Sequence, residues 1–489
     1  MHTALAIAGL ATTAAAETVH GALVFVRHGD RTAKHLGPTS LTPVGASEVF
    51  EAGTFTRARY LSSSSPHHIR GMSEAQYVSS QVYASAPDEP VLFQTATSFL
   101  QALYPPLGQS FTATQADKLA NGSSVPSPLN GYQYVMLHGI NADSPETVWI
   151  KGDVGCPTMT AAQQDFNNSA VFQTRLEDTR AFYQSLYPMV SELYDAATDL
   201  DYTKAFDIFD LFNVQKIHNS SSPIQKVSDD QLFQLRTLAD SAEFGANWNA
   251  SQPDRALHAR TFAAAVLDHL NQTVSTSSSA SSANTKAAPK LTVLAGSYDT
   301  FLAFFGLTRL TEASPDFYGL PDYASTMMFE LFTPGDNNNA DLDESALRVR
   351  YMLRNGTTNP LRQFPLFGSK QADLPWTQFR DEMQKIGIST TAEWCSLCDS
   401  PSDFCAAFRD DGSGNGVSVQ AGNGEVAVAR GAWIAVLVVM AVAILGNLIW
   451  AAMWLFRGRK ESRVPAAAVV KTAGSTGTGS VRSYGKESV

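Results

Sequence analysis

An uncharged stretch at residues 432–456 is the feature that most constrains the fold of this 489-residue chain. About 20 predominantly apolar residues are enough for a helix to cross a bilayer. Trp433 lies near one end of the stretch and Trp450 and Trp454 near the other, where indole rings favour the membrane interface. A basic cluster follows at once: Arg457, Arg459, Lys460 and Arg463. We therefore predict one C-terminal transmembrane helix, a disordered cytoplasmic tail at residues 457–489, and a domain before the helix that faces outside.

The amino terminus carries a second apolar stretch that is too short to span a membrane. Residues 4–16 are small or apolar and end in Ala14-Ala15-Ala16 before Glu17. This pattern is typical of a signal peptide with a small-residue cleavage site. A buried N-terminal strand or helix is the alternative. We predict a signal peptide at residues 1–16 and an ectodomain at residues 17–427.

Glycosylation sequons and cysteines agree with this orientation. The Asn-x-Ser/Thr motif occurs on the predicted outer side only, at Asn121, Asn167, Asn219, Asn249, Asn271 and Asn355. The four cysteines also precede the predicted helix: Cys156, Cys395, Cys398 and Cys405. An oxidising compartment permits disulfides, and four cysteines allow three pairings. Cys395-x-x-Cys398 could instead indicate a zinc or redox site, but no second ligand pair accompanies it.

These features predict a single-pass type I membrane glycoprotein of the secretory pathway, at the plasma membrane or the vacuole. The formal net charge is −11, and lysines and arginines are scattered through the chain. No basic face of the kind that binds nucleic acid is apparent, so we expect no nucleic-acid partner. Oligomeric state stays open at this point.

Short apolar runs alternate with helical patterns in the ectodomain. Residues 21–26 and 291–296 have the composition of buried parallel strands, and residues 80–84 are a further strand candidate. Thr42 followed by Pro43 is a helix start, with Thr42 as the N-cap. Further helices are predicted at residues 95–104 and 300–307. We predict an α/β fold with a mostly parallel central sheet flanked by helices.

Two longer segments differ from this alternating pattern. Residues from about 111 to 249 have more helical periodicity and several sequons, which predicts an inserted, mainly helical subdomain. Residues 275–290 are rich in Ser and Ala, as in a solvated loop.

Charged side chains follow two of the predicted strands. Residues 26–31 read Val-Arg-His-Gly-Asp-Arg, and Tyr298-Asp299 follows the strand at 291–296. In parallel sheets the site lies beyond the carboxyl ends of the strands. Arginine forks match phosphate oxygens, and a histidine between them could attack phosphorus. A solvated charged loop is the alternative for the tripeptide Arg27-His28-Gly29 taken alone.

Four blocks in order resemble the acid phosphatase and phytase branch of the histidine phosphatase superfamily. They are the Arg-His-Gly-x-Arg motif at 27–31, Leu-Thr-Pro-Val-Gly at 41–45 with Arg-Ala-Arg-Tyr at 57–60, the stretch from Ile69 to Ala86, and residues 291–300. The resemblance is faint in the helical segment and after residue 312.

The resemblance implies a role for each matching residue. His28 would be the nucleophile that becomes phosphorylated, and Arg27 and Arg31 would hold the phosphate. Asp299 would protonate the leaving alcohol before water hydrolyses the phosphohistidine. No metal or other cofactor is expected, and a phosphorylated small molecule is the expected substrate.

Three positions depart from the family pattern. Ala33 stands where a proline is usual. Gln76 aligns with the third phosphate-binding arginine, and Tyr298 replaces the histidine of a His-Asp pair. Losing a charged donor typically costs on the order of a hundredfold in rate. Arg70 or the neighbouring histidines His67 and His68 could compensate for that loss.

Two functions follow from this pattern. The first is an extracytoplasmic acid phosphatase that acts through phosphohistidine and is weakened by Gln76 and Tyr298. The second is a catalytically inactive glycoprotein that binds phosphorylated ligands or partners. A phosphoglycerate mutase activity fits the secretory topology less well.

Overall fold

The computed structural model describes residues 17–108, 117–125, 127–278, 288–335 and 343–409. All of them lie in one compact unit. The predicted signal peptide, transmembrane helix and cytoplasmic tail lie outside the described residues. Within those ranges, no helix is both long enough and apolar enough to cross a membrane.

Ten strands occur in the described ranges. They are β1 (Glu17–Arg27), β2 (Val82–Pro87), β3 (Asp117–Lys118), β4 (Ser124–Val125), β5 (His138–Ile140), β6 (Leu291–Gly296), β7 (Thr326–Pro334), β8 (Arg348–Arg354), β9 (Arg362–Phe364) and β10 (Asp373–Pro375). Eight of them form one sheet in the order β10-β8-β7-β1-β6-β2-β5, with β9 also paired to β8. Strands β3 and β4 form a separate short hairpin.

Helices flank the sheet. They are α1 (Pro43–Tyr60), α2 (Pro90–Leu103), α3 (Pro128–Gly131), α4 (Val148–Lys151), α5 (Pro157–Asn167), α6 (Ala170–Ser185), α7 (Ala205–His218), α8 (Asp229–Asn247), α9 (Leu257–Ser278), α10 (Tyr298–Leu307), α11 (Trp376–Ile386) and α12 (Thr391–Cys398). This arrangement confirms the α/β class.

The sheet is mixed, so the predicted mostly parallel sheet is wrong in part. Strands β1, β6, β2 and β5 pair in parallel. The other half pairs antiparallel, from β1 to β7 and on to β8, β9 and β10. Strands β7, β8 and β9 follow one another along the chain, and consecutive strands can pair antiparallel through a brief connection, whereas a parallel pair needs a longer crossover.

Strand β1 lies at the centre of the sheet, and its side chains alternate between the two faces. Val24 belongs to a core shared with α1 and α2, where Val49 and Phe99 are fully buried. Phe25 points to the other face and packs against Phe262 of α9 and Phe301 of α10, with ring centroids 4.6 and 5.2 Å apart. Both faces of the strand are therefore covered.

Some element boundaries agree with the sequence, whereas β1 begins at Glu17 instead of the predicted residue 21 and α2 begins at Pro90 instead of the predicted residue 95. Helix α1 begins at Pro43, and Thr42 caps it by accepting a hydrogen bond from the Gly45 N–H. Strand β6 spans the predicted residues, whereas β2 lies about two residues later than predicted. Helix α9 runs to Ser278, so the first residues of the predicted loop at 275–290 are helical; residues 279–287 lie outside the described ranges.

The predicted helical segment contains α3 to α8, and it also supplies β5 to the edge of the main sheet. The segment is thus joined to the sheet by a strand pairing as well as by helix packing.

One disulfide joins the end of the domain to this segment, and a second one lies within the end itself. Cys156 pairs with Cys398, and Cys395 pairs with Cys405. The two cysteines of the Cys-x-x-Cys motif therefore have different partners, which confirms structural disulfides over a zinc or redox pair. Trp394 strengthens the same junction by donating a 3.0 Å hydrogen bond to the Gly152 carbonyl.

A buried ion network lies beside the amino half of β1. Glu330 of β7 is completely buried and accepts hydrogen bonds from Arg59 at 3.0 and 2.9 Å and from Arg350 at 2.6 Å. Arg350 also bonds Glu17 at 2.9 Å. The network therefore ties the first strand to α1 and to both β7 and β8.

Removing the carboxylate at the centre of this network should destabilise the domain. Glu330→Gln leaves two poorly solvated guanidiniums short of negative charge, so we expect a loss of about 3–5 kcal/mol in the free energy of unfolding. Urea denaturation of the full-length chain measures this loss. The control is Glu51→Gln, which removes an exposed partner of Arg354 and should cost less than about 1 kcal/mol. Equal effects of the two substitutions would contradict this account.

Candidate active site

The candidate site is built where β1 and β6 end side by side. Arg27 pairs in register with Gly296, so His28 and the Tyr298-Asp299 dipeptide leave neighbouring strands at the same edge of the sheet. The Arg27 guanidinium carbon lies 5.2 Å from the centre of the Tyr298 ring. The structure therefore brings together the two motifs that the sequence separates by about 270 residues.

A close backbone approach holds the loop after β1 against helix α1. A Cβ atom on Gly29 would lie 2.3 Å from the Gly45 carbonyl oxygen, which no side chain tolerates. The N-cap Thr42 donates a 2.5 Å hydrogen bond to Asp30, and the Asp30 N–H donates to Glu48 at 2.8 Å. Glycine at position 29 is thus required by packing, and the loop is fixed by α1.

His28 is buried, and its orientation is set by the backbone. Its Nδ1 lies 2.9 Å from the Gly29 carbonyl oxygen. An N–H at Nδ1 donating to that carbonyl leaves the lone pair on Nε2. Burial, followed by the charges of Arg27 and Arg31, lowers the pKa of His28 well below its ordinary value. These effects favour the neutral, nucleophilic form of the imidazole.

The two arginines are buried beside it and only partly paired. Arg31 donates to Asp210 of α7 at 3.0 Å, and Arg27 donates to the Pro321 carbonyl oxygen. Within the described part of the chain, Arg27 Nε and Arg31 Nη2 are buried without a hydrogen-bond acceptor. Burial lowers the pKa of Arg27 to about 10, which leaves it charged at acidic and neutral pH. Unsatisfied buried N–H groups of two cations define a place for an anion.

Two further residues lie beside the arginines and His28, and sequence analysis missed both. Tyr323 stacks on the Arg27 guanidinium at 4.8 Å, and its ring lies 5.6 Å from that of His28. Lys34 places its ammonium 5.5 Å from the centre of the Tyr298 ring, and its positive charge contributes to lowering the pKa of His28. An exposed lysine seven residues after Arg27 carries no signal of this role in the sequence.

Carboxyl groups line a cavity of about 350 Å³ next to Tyr298. Glu243 of α8, Asp153 and Asp299 all face it. Burial alone would raise the pKa of Asp299, but Lys151, His258 and the Thr300 N–H, which donates at 3.0 Å, lower it overall. Burial and the neighbouring Asp299 raise the pKa of Asp153. The negative charge therefore resides first on Asp299.

The structure does not bring Gln76 to this site, so its assignment as a phosphate ligand is wrong. Residues 73–77 are anchored to residues that precede the parallel strands, through hydrogen bonds from Ser73 N–H to Gln81 and from Tyr77 N–H to Gln133, each 2.8 Å long. Gln76 is exposed there. The site lies at the opposite, carboxyl edge of the sheet. Because a strand rises about 3.3 Å per residue, the length of the strands separates Gln76 from the site.

The proposed compensating residues lie at that same distant edge. His67 bonds Glu17, the first residue of β1, at 2.8 Å, and Arg70 accepts a hydrogen bond from Lys290 on its carbonyl oxygen. His68 contacts the Leu61 carbonyl oxygen. None of the three can reach a ligand held by His28.

Alanine at position 33 keeps the backbone conformation that a proline would impose. Ala33 is buried and has φ of −64°, within the range that a proline ring imposes.

The chain belongs to the histidine phosphatase superfamily, branch 2, whose family profile matches residues 34–354. Human prostatic acid phosphatase is 24% identical over 231 residues, which are 45% of this chain and 52% of that protein. The chain thus spans about half the length of this relative.

Comparison with solved structures was made for the fold. Apo phytase from Hafnia alvei superposes with a TM-score of 0.51 at 13% identity, covering 79% of this chain and 99% of that one. Phytase from Citrobacter braakii gives 0.49 at 13% identity, covering 76% and 98%. Likeness at this level of identity concerns the fold alone.

Truncating Arg27 should weaken anion binding, whereas changing Gln76 should not. Arg27 has no carboxylate partner among the described residues, so Arg27→Met leaves no orphaned negative charge. A hydrogen bond to a charged group is worth about 1.5–3 kcal/mol, so affinity for inorganic phosphate should fall roughly 10- to 100-fold. Gln76→Ala should change it less than about twofold. Calorimetric titration of the full-length chain tests both, and a large loss in Gln76→Ala would restore the sequence-based assignment.

Proposed function

We propose that this protein is a phosphomonoester hydrolase that acts through a phosphohistidine intermediate. One observation carries the proposal: the buried His28 has its Nδ1 on a carbonyl oxygen and lies beside two guanidiniums with free N–H groups. Phosphoryl transfer depends mainly on positioning and charge stabilisation, and this arrangement supplies both.

The reaction has two balanced steps. His28 Nε2 attacks phosphorus, the P–N bond forms and the ester P–O bond breaks, and the leaving oxygen takes a proton from a carboxyl group. Water then attacks the phosphohistidine and gives one proton to the same carboxylate, the P–N bond breaks, and orthophosphate leaves with His28 and the carboxylic acid both restored. Arg27 and Arg31 neutralise the equatorial oxygens in both transition states.

Asp299 is the proposed proton donor. Its pKa is lowered in the free protein, so it must gain its proton when substrate binds. A phosphate dianion placed beside the carboxylate raises the pKa of that carboxylate, because like charges disfavour ionisation. Binding of substrate thus prepares the acid.

Replacing His28 should abolish turnover, because the substitution removes the nitrogen that is proposed to attack phosphorus. We expect His28→Ala to lower kcat for 4-nitrophenyl phosphate by at least about a thousandfold at pH 5. His35→Ala is the matched control in the same loop, where the ring stacks on Tyr194 at 4.6 Å, and should change kcat less than about twofold.

The pH profile gives a second, independent readout of His28. A histidine whose folded pKa is depressed is neutral at every pH above that lowered value, so activity should persist well below pH 6.5. An acid limb with an apparent pKa of about 6.5 would contradict the assigned environment of His28.

A binding protein without turnover is the second candidate, and Tyr298 together with the ionised Asp299 favours it. A tyrosine brings no charge to the developing phosphoryl group. Tight binding of vanadate or phosphate with no release of product in the same assay would select this function.

We also propose that the domain works outside the cytoplasm, anchored by the apolar stretch at residues 432–456. Two disulfides support an oxidising compartment. Four sequon asparagines are exposed, namely Asn121, Asn167, Asn219 and Asn271. Asn249 and Asn355 are half-buried, and the Asn355 side-chain oxygen accepts hydrogen bonds from Asp322 at 2.7 Å and Ser325 at 2.9 Å.

Glycosidase digestion of the full-length chain from a eukaryotic secretory host should reduce its mass. Asn219→Gln should make this loss of mass smaller by one glycan, because the Asn219 side chain is exposed. Asn355→Gln should remove none, because the engaged side chain is withheld from modification. A chain that carries no glycan at all would count against the proposed topology.

A further inference from the structure

The Arg27 guanidinium lies against two aromatic rings. Its central carbon is over the rings of Tyr298 and Tyr323, at 5.2 and 4.8 Å from their centroids. Both distances fall within the roughly 6 Å over which a ring face attracts a cation. Arg27 is 5% exposed, Tyr298 is 8% exposed and Tyr323 is half-buried. Little water therefore screens the attraction between the cation and the rings.

Arg31 is held in a different way. It donates a hydrogen bond to the Asp210 carboxylate at 3.0 Å, and this ion pair occupies an N–H group and offsets part of the positive charge. An aromatic ring instead stacks on the flat face of a guanidinium, whose N–H groups lie in the plane and point outwards from its edge. The two rings therefore leave Arg27 its full charge and its unpaired Nε–H, both of which are available to an anion.

Both rings are held in place by the elements around β1. Tyr298 is the first residue of α10, just after β6, and packs on Phe206 of α7 with ring centroids 4.7 Å apart. Tyr323 lies just before β7, and the residue after it donates its N–H to the His28 carbonyl oxygen at 3.1 Å. Strands β6 and β7 flank β1 in the sheet, so the rings reach Arg27 from both neighbouring strands.

We propose that Tyr298 and Tyr323 are positioning residues, and that their rings fix the Arg27 guanidinium for the phosphoryl group. The inference deepens the proposed function and rests on it for the nature of the anion. Tyr298 then serves the site through its ring, and its hydroxyl is not required as a phosphate ligand. This role accounts for a tyrosine at a position where the family has a histidine.

Binding of inorganic phosphate to the full-length chain tests the inference. Tyr298→Leu removes the ring and keeps an apolar side chain, so the affinity should fall about five- to thirtyfold, the equivalent of one desolvated cation–π contact. Tyr298→Phe keeps the ring and loses only the hydroxyl, so the affinity should stay within about threefold of the wild type. Tyr323→Leu changes a half-buried position and should lower the affinity roughly three- to tenfold.

Two controls separate positioning of Arg27 from a general effect of losing a buried ring. Tyr194 has the same 8% exposure as Tyr298 but stacks on His35, so Tyr194→Leu should change the phosphate affinity less than about twofold. In an Arg27→Met background, Tyr298→Leu should have little further effect, because the guanidinium that the ring holds is gone. Calorimetry measures the affinities, and urea denaturation verifies that each variant is folded.

The outcomes are distinct from those of the hydrolase test, because phosphate binds without a chemical step. Equal losses in Tyr298→Phe and Tyr298→Leu would overturn the inference, since the hydroxyl would then be the important group. A full further loss in the Arg27→Met background would overturn it as well. A chain that shows the expected dependence on the two rings but hydrolyses no ester would keep this inference and overturn the hydrolase.

Discussion

Everything at this site depends on keeping two guanidiniums and one imidazole out of water at the end of a single strand. Burying a charge is costly unless a partner offsets the lost hydration. Several partners share in that compensation. Asp210 pairs with Arg31 at 3.0 Å. Arg27 donates a hydrogen bond to a carbonyl oxygen and lies against two tyrosine rings. The Gly29 carbonyl oxygen accepts a hydrogen bond from His28. The nitrogens left over are the ones available to an anion.

The parts of the fold that the sequence predicts well are those specified by local chemistry. The second half of β1 and the whole of β6 are short apolar runs buried on both faces, and α1 has both a capping threonine and a proline at its first turn. Because Arg27-His28 and Tyr298-Asp299 directly follow such strands, their meeting at one edge could be predicted without knowing the strand order.

Residues whose role depends on long-range packing could not be found in this way. The assignment of Gln76 fails because similarity between short blocks of sequence does not reveal which end of the sheet a loop occupies. In the structure, the bridge between Ile69 and Val19 places this loop at the amino end of β1. Lys34, Tyr323 and Glu243 give no local signal. Asp210 gives a weak one: it is a carboxylate within an apolar helix, where an acidic side chain is seldom buried without a partner.

The central place of β1 has a consequence for how the domain is made. This strand leads the described chain, yet its parallel partner begins at Leu291 and its antiparallel partner at Thr326, so most of the domain must be synthesised before the strand can pair on either side. Such distant pairings fold slowly and leave apolar strands exposed in the meantime. The nascent chain therefore holds its first strand, with the apolar residues 21–26, without a sheet partner for most of its synthesis.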